Sequence, residues 1–239
     1  MLGATAQLPG DLAVLDLMRA ASFRFATRLQ RQNQCTELPA PPKPAHGADL
    51  LWRNTLFTAA SFRRAHVEQL EITSHFAVLH VVVLPHVSSA APIFGFDMIS
   101  GRTQATGIFL DYSAVTQIPP SPRLGEVITP SIRAGFTHAR ARPQWGTIFS
   151  PDFFAIRPSG IPEIRAALAL ADKALAHYLS HLPQAGATEA VHDPEVVRGQ
   201  AAYATAQRQN PHTERMLARY VGAAQARAFI DEVLFPLPV

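Results

Sequence analysis

Between Arg64 and Ile99 the chain carries three apolar, strand-like segments whose connections are short enough to fix how they fold back on one another. The segment Arg64 to Ile72 (RAHVEQLEI) alternates, and so does Phe76 to Leu84 (FAVLHVVVL) when its even positions are taken as one face. A three-residue turn, Thr73-Ser74-His75, places Glu68 opposite His80. The next connection, Pro85 to Pro92 (PHVSSAAP), has eight residues and leads into Ile93 to Ile99 (IFGFDMI). Folded back symmetrically, it places His80 opposite Asp97. Paired residues point to the same face with Cβ atoms ~4.5–5.5 Å apart, so all three side chains share one side of the sheet. A slip of one residue would send a side chain to the other face, so register decides whether the trio exists. A carboxylate, an imidazole and a second carboxylate in line on an apolar sheet suit the movement of protons.

The neighbouring sequence extends this sheet. After the turn SGRTQ, the segment Ala105 to Tyr112 (ATGIFLDY) reads as a fourth strand, with Gly107 expected beside Asp97 and leaving space over the acid. A further strand is expected at Thr147 to Ile156 (TIFSPDFFAI). The proline-rich stretch Leu38 to His46 (LPAPPKPAH) reads as an extended connector from an N-terminal helix. Beyond the sheet, Ile164, Leu168, Ala171, Leu175, Tyr178/Leu179 and Leu182 recur at helical spacing as one apolar stripe. Asp193-Pro194 and Asn210-Pro211 each supply an N-cap followed by proline at the first helical position. Gly222 marks a helix end, and Phe229, Ile230, Val233 and Leu234 form one side of the last helix. The expectation is a single domain over 1–239. Its helix and connector occupy 1–50, its sheet about 50–157, and its C-terminal helices 161–235. Strands apolar on both faces and followed by helices predict an antiparallel sheet covered on both sides, an α/β fold.

Composition narrows the chemistry. Cys35 is the only cysteine, which excludes an internal disulfide, a cysteine-ligated zinc and an iron–sulfur cluster held by this chain. Ten histidines raise the question of a metal, yet there is neither HExxH nor a compact cluster at helical spacing, so none is expected. No Gly-rich nucleotide loop is present. Electrons for any redox reaction are therefore expected from outside the chain. The net charge of +3 comes from scattered basic residues, which argues against nucleic acid and suits an acidic protein or a carboxylate-bearing ligand. No apolar run reaches the roughly 18–20 residues of a membrane span, and the N-terminus lacks a basic start and apolar core. A cytoplasmic location is expected.

The segments LHVVVLPH…APIFGFDMI, FLDYSAV, WGTIFSPDFFAIRP and GQAAYATAQRQNPHTERML…IDEVLFPLP resemble, in order, the ferredoxin-dependent bilin reductases. The likeness covers roughly residues 50 to 236. It implies a three-layer α/β/α sandwich with a central antiparallel sheet, and biliverdin IXα bound between the sheet and the C-terminal helices. It also implies no bound metal or flavin; reduced ferredoxin supplies single electrons and the protein supplies protons through bilin radicals. Carried over residue by residue, His80 and Asp97 match the family's histidine–aspartate pair. Glu68 and His66 match the branch that also reduces the D-ring exovinyl group, giving phycocyanobilin by four-electron reduction. Asp97 is then the central proton donor, His80 its partner and Glu68 the donor to the D-ring vinyl. A free aspartic acid has a pKa of ~3.9, and burial disfavours the charged form, so a donor at Asp97 is expected to be buried.

Two departures bear on the product. A DLSPV-like family segment appears as Asp111-Tyr112-Ser113-Ala114-Val115, without its proline. After Asn210, an aspartate and a lysine common in relatives are replaced by Pro211 and His212, which leaves a phycoerythrobilin-type product as the alternative. A non-catalytic bilin carrier is the alternative from another class. Arg140 and Arg142 are candidates for the bilin propionates, because guanidinium binds carboxylate bidentately. Gln200, Tyr203, Gln207 and Asn210 recur on one helical face, either a polar seam or the far wall of the pocket, with Gln207 and Asn210 favoured for the wall. Asp111 reads as structural. Trp52, Trp145 and Phe153 read as packing residues, and His75 and His86 as solvated turn residues. The chain is expected to be a monomer, with ferredoxin as its protein partner.

Overall fold

The computed structural model describes residues 10–41, 50–72, 76–101, 104–143, 146–183 and 192–238 of the 239. Helix α1 (Gly10–Gln30) precedes strands β1 (Thr36–Leu38), β2 (Leu50–Ala59), β3 (Phe62–Ile72), β4 (Phe76–Pro85), β5 (Ile93–Gly101) and β6 (Ala105–Ser113). A 3-10 turn (Leu124–Glu126), helix α2 (Pro130–Ala134) and strand β7 (Phe154–Ile156) follow. Helices α3 (Ile161–His181), α4 (Pro194–Arg208), α5 (Pro211–Val221) and α6 (Ala223–Phe229) come last, and α6 runs into a π-helical turn, Ile230–Leu234.

The seven strands form one sheet in chain order, with every neighbouring pair antiparallel. This is what the connections from β2 to β6 dictate, because a parallel neighbour needs a crossover of about a dozen residues or more. Glu68 pairs with His80, and His80 with Asp97, as the connection lengths predict. The turn residues Thr73, Ser74 and His75 lie outside the described residues, as do Arg102, Thr103, Trp145 and most of the proline-rich connector.

Three expectations are corrected. Asp97 pairs with Phe109, and Gly107 lies one same-face position away, opposite Ile99. The ladder breaks between Ile99 and Ser100, an irregularity that symmetric folding of SGRTQ does not anticipate. The strand read at Thr147 to Ile156 shrinks to β7. Pro151 can donate no ladder bond, and the chain turns there through Phe149 N–H to Gly146 O (3.1 Å) and Phe153 N–H to Ser150 O (3.2 Å). Strands β1 and β2 extend the sheet before Arg64, with Trp52 paired to Leu70 and Asn54 to Glu68.

The two faces of the sheet bury different things. On one, Leu79, Val81, Phe94 and Phe96 pack against Met18, Phe25 and Leu29 of α1 and the predicted stripe of α3, including Leu168, Leu175 and Tyr178. Truncating one such fully buried leucine to alanine costs about 2–5 kcal/mol. On the other, Trp52, Leu70, Val78, Val82 and Ile93 meet Val196, Tyr203, Leu217, Phe229, Ile230, Leu234 and Phe235 from α4 to the C-terminal turn. The result is an α/β/α sandwich. Asp193 caps α4 and Asn210 caps α5 through their side chains, and Gly222 ends α5 at φ 81°. Helix α4 sits unusually close: a Cβ at Gly199 would lie 1.7 Å from the Val115 carbonyl oxygen. That approach brings Tyr203 over Gly95, where a Cβ would stand 3.5 Å from the phenol oxygen. Among the described residues no helix is long and apolar enough to cross a membrane.

Candidate active site

Glu68, His80 and Asp97 stand side by side on β3, β4 and β5, on the face covered by α4 to α6. His80 Nδ1 lies 2.7 Å from Asp97 Oδ1, where the ring N–H donates to the carboxylate. Trp52 Nε1 donates to Glu68 Oε1 at 2.6 Å. His66, one same-face position along β3, has Nε2 2.9 Å from Asn54 Oδ1. Aromatic rings roof this end: Phe229 meets Trp52 at 4.5 Å and His66 at 6.3 Å, and Phe235 meets His80 at 5.9 Å. Arginines tie the roof down. Arg208 donates to the carbonyls of Phe235 (3.0 Å) and Asp231 (2.7 Å), and Arg64 to those of Glu232 (3.3 Å) and Val233 (3.4 Å). Cations at the C-terminal end of a helical segment also meet its negative pole.

The charges follow from this burial. Loss of water pushes the Glu68 carboxyl up to about 7; the His80 charge and the indole N–H pull against that, and the Asp97 charge adds to it. Burial drags the His80 imidazole down, but the Asp97 carboxylate, its hydrogen bond and Glu68 together outweigh it and raise the group. His66 is held well below its ordinary value by burial and by the nearby charges of His80 and Arg64, so it stays neutral. Near neutrality this face therefore holds a carboxyl close to half-protonated and an imidazole biased toward its charged form, both able to give up a proton. The expected burial of Asp97 is not found: its side chain is 41 % exposed, against 8 % for His80. The row lies closed at Glu68 and open at Asp97.

The other sequence-derived candidates separate. Arg140 is brought to the same face, its guanidinium 5.4 Å over the ring of Phe109, which pairs with Asp97, and it donates to Thr106 O at 3.0 Å. Arg142 is exposed and donates to Phe149 O at 3.1 Å. Gln207 is buried, and its Nε2 donates to the Tyr203 hydroxyl at 3.1 Å, within the wall over Gly95. Asn210 Oδ1 is engaged as the α5 cap, accepting from His212 N–H at 3.0 Å, which leaves its amide N–H groups for a ligand. Asp111 is structural, as expected, accepting from Ser113 and from the Ser150 backbone and hydroxyl. Phe153 stacks on Phe149 at 4.6 Å. His86 is half-buried and hydrogen-bonded to Ala59 O at 3.1 Å, so it is not a solvated turn residue. Trp52 is more than packing, because its indole holds a site carboxyl. Sequence reasoning missed it, and missed the roof of Phe229 and Phe235; pairing β2 onto β3 was the signal that would have found Trp52. Among the described residues no group of three or more His, Cys, Asp or Glu side chains is gathered to hold a metal ion.

Comparison with known proteins adds four findings. The family model described as ferredoxin-dependent bilin reductase matches residues 29–236. A phycocyanobilin:ferredoxin oxidoreductase from Trichodesmium erythraeum (strain IMS101) is 33 % identical over 200 residues, covering 80 % of this chain and 79 % of the relative. One of the same name from Gloeobacter violaceus (strain ATCC 29082 / PCC 7421) is 29 % identical over 188 residues, covering 77 % and 74 %. Among solved structures, phytochromobilin synthase from tomato in complex with biliverdin superposes with a TM-score of 0.67 at 14 % identity, over 92 % of this chain and 82 % of that one. At that identity the superposition speaks to the fold.

Proposed function

The chain belongs to the ferredoxin-dependent bilin reductase family, and we propose that it reduces biliverdin IXα to phycocyanobilin with four electrons from ferredoxin. The observation that carries this reading is the in-line placement of Glu68, His80 and Asp97 on one covered sheet face, with His80 and Asp97 joined at 2.7 Å. Relatives named for this product, a third identical over four-fifths of the chain, support the choice within the family.

The tetrapyrrole lies between the sheet and α4 to α6, against Asp97 and Phe109. Each reduced double bond takes two electrons and two protons, so the conversion uses four of each. An electron entering the conjugated system raises its basicity, and the bilin radical takes a proton from Asp97. His80, beside it and raised by that carboxylate, passes its own proton on to Asp97. Glu68, about half-protonated near pH 7, serves the D-ring exovinyl group at the closed end of the row. His66 and Gln207 line the pocket, Asn210 contributes its amide N–H groups, and Arg140 meets a propionate, with Arg142 behind it. The bilin itself supplies the apolar cover that Asp97 lacks. The protein acts as a monomeric single domain over 1–239 in the cytoplasm, with no bound cofactor.

The test is anaerobic turnover of biliverdin IXα with reduced ferredoxin, products resolved by chromatography and absorbance. Phycocyanobilin is the expected product. A phycoerythrobilin-type or two-electron product would overturn the regiochemistry. Tight binding with biliverdin left unreduced, by a donor that works with a known reductase, would mean a carrier.

A further inference from the structure

Within the row, Glu68 is tied from outside it. Its Oε1 accepts from Trp52 Nε1 at 2.6 Å, and among the described residues no hydrogen bond joins it to His80. Trp52 sits on β2 opposite Leu70, one same-face position along from the Asn54–Glu68 pair, which sets its indole diagonally across from the carboxyl. The ring is buried and wedged against Phe229 at 4.5 Å, so its N–H has little freedom to turn away. An indole N–H donates and never accepts, so it can hold a carboxyl oxygen but cannot take or relay a proton. It therefore singles out one oxygen of Glu68 and leaves the other for the acid proton.

We propose that Trp52 is a positioning residue for the D-ring exovinyl reduction, its indole N–H holding Glu68 Oε1 so that Oε2 carries the proton delivered to the vinyl group. In that step the Oε2–H bond breaks and a C–H bond forms on the exovinyl group. The accompanying electron comes from ferredoxin, and Glu68 is left as a carboxylate whose charge the N–H stabilises. The inference rests on Glu68 acting as donor to that group.

The experiment compares wild type, Trp52→Phe and Glu68→Gln in anaerobic turnover across pH, scoring the fraction of product that retains the D-ring exovinyl group. Trp52→Phe keeps an aromatic ring against Phe229 and deletes only the donor. It is expected to slow D-ring reduction about tenfold while A-ring reduction stays within about twofold, because a hydrogen bond to a charged group is lost at one acid only. Without the N–H the charged form of Glu68 is less favoured, so the alkaline limb of D-ring reduction moves up by about one pH unit. The double variant is expected to match Glu68→Gln. Should Trp52→Phe fold poorly, replacing the indole with benzothiophene keeps the fused ring and removes the N–H. An unmoved limb, or equal slowing of both reductions in a folded variant, overturns the role of Trp52. If Glu68→Gln still reduces the D-ring at the wild-type rate, the assignment of Glu68 fails instead, and the two failures are told apart in one data set.

Discussion

At its β3 end the row of site residues is closed: Glu68 and His66 are buried, Phe229 packs on His66 and Trp52, and Trp52 holds the carboxyl. At its β5 end it is open: Asp97 is 41 % exposed and stands beside Phe109, whose ring carries Arg140. The protein alone sets the acid strength of Glu68, because its water is already gone. Whatever covers Asp97 will set the environment there. On the proposed reading, the two carboxyl groups divide between one enclosed before the substrate arrives and one that the substrate encloses.

The sharpest way to break this contrast is at the open end. Asp97→Asn should lower biliverdin reduction by about 10²–10⁴-fold in single turnover, the usual weight of a general acid. Because the side chain is partly in water but holds the buried His80, the melting temperature should fall only modestly. Substitution at the closed end acts more selectively. Glu68→Gln should cut D-ring reduction by about 10²-fold and let product with an intact exovinyl group accumulate, seen by chromatography.

The pH dependence of stability separates the ends again. With its folded-state value raised to about 7 from 4.5, Glu68 keeps a proton that the unfolded chain releases. Stability from this group is full below 4.5 and falls as pH rises to about 7, by roughly 3 kcal/mol at most. Raised in the same direction, His80 extends the loss above 6.5. Denaturant titrations from pH 4 to 8 should show a flatter profile for Glu68→Gln; an unchanged profile would mean that Glu68 is not held protonated by burial. The smallest effect is expected for Arg140→Ala: KM for biliverdin should rise about tenfold with kcat within about twofold, the pattern of a group that binds without reacting.

How much of this was legible in the sequence depends on what fixes each feature. The pairings Glu68–His80 and His80–Asp97 follow from alternation and from connections that fold back evenly, and the caps at Asp193 and Asn210 follow from local chemistry. The pairing of Asp97 with Phe109 does not, because a ladder irregularity at Ile99/Ser100 leaves no mark in composition. The exposure of Asp97 is equally invisible, since alternation says which face a residue takes and nothing about how far the helices above reach. Trp52 reads as an apolar ring until β2 is laid beside β3 and its N–H meets Glu68. Asn210 carried two readings, cap and pocket wall; its oxygen serves the first and its amide is left for the second.

The strand order β1 to β7, each pairing with the one before it, has a kinetic side. From β2 to β6 the hairpins close over small loops, and chains rich in local pairings tend to fold fast. Glu68, His80 and Asp97 sit on three consecutive strands, so their register can be set by nearest-neighbour zipping while residues beyond α3 are still being synthesised. The roof of Phe229 and Phe235 follows α5 in the chain and is expected to close after β3–β5 have paired. In that order the cost of burying Glu68 is expected to fall on the docking of the roof and not on the pairing of the strands. Pulse-labelled hydrogen exchange should accordingly find β3–β5 amides protected before those of α6, and substitutions at Phe229 should speed unfolding far more than they slow folding.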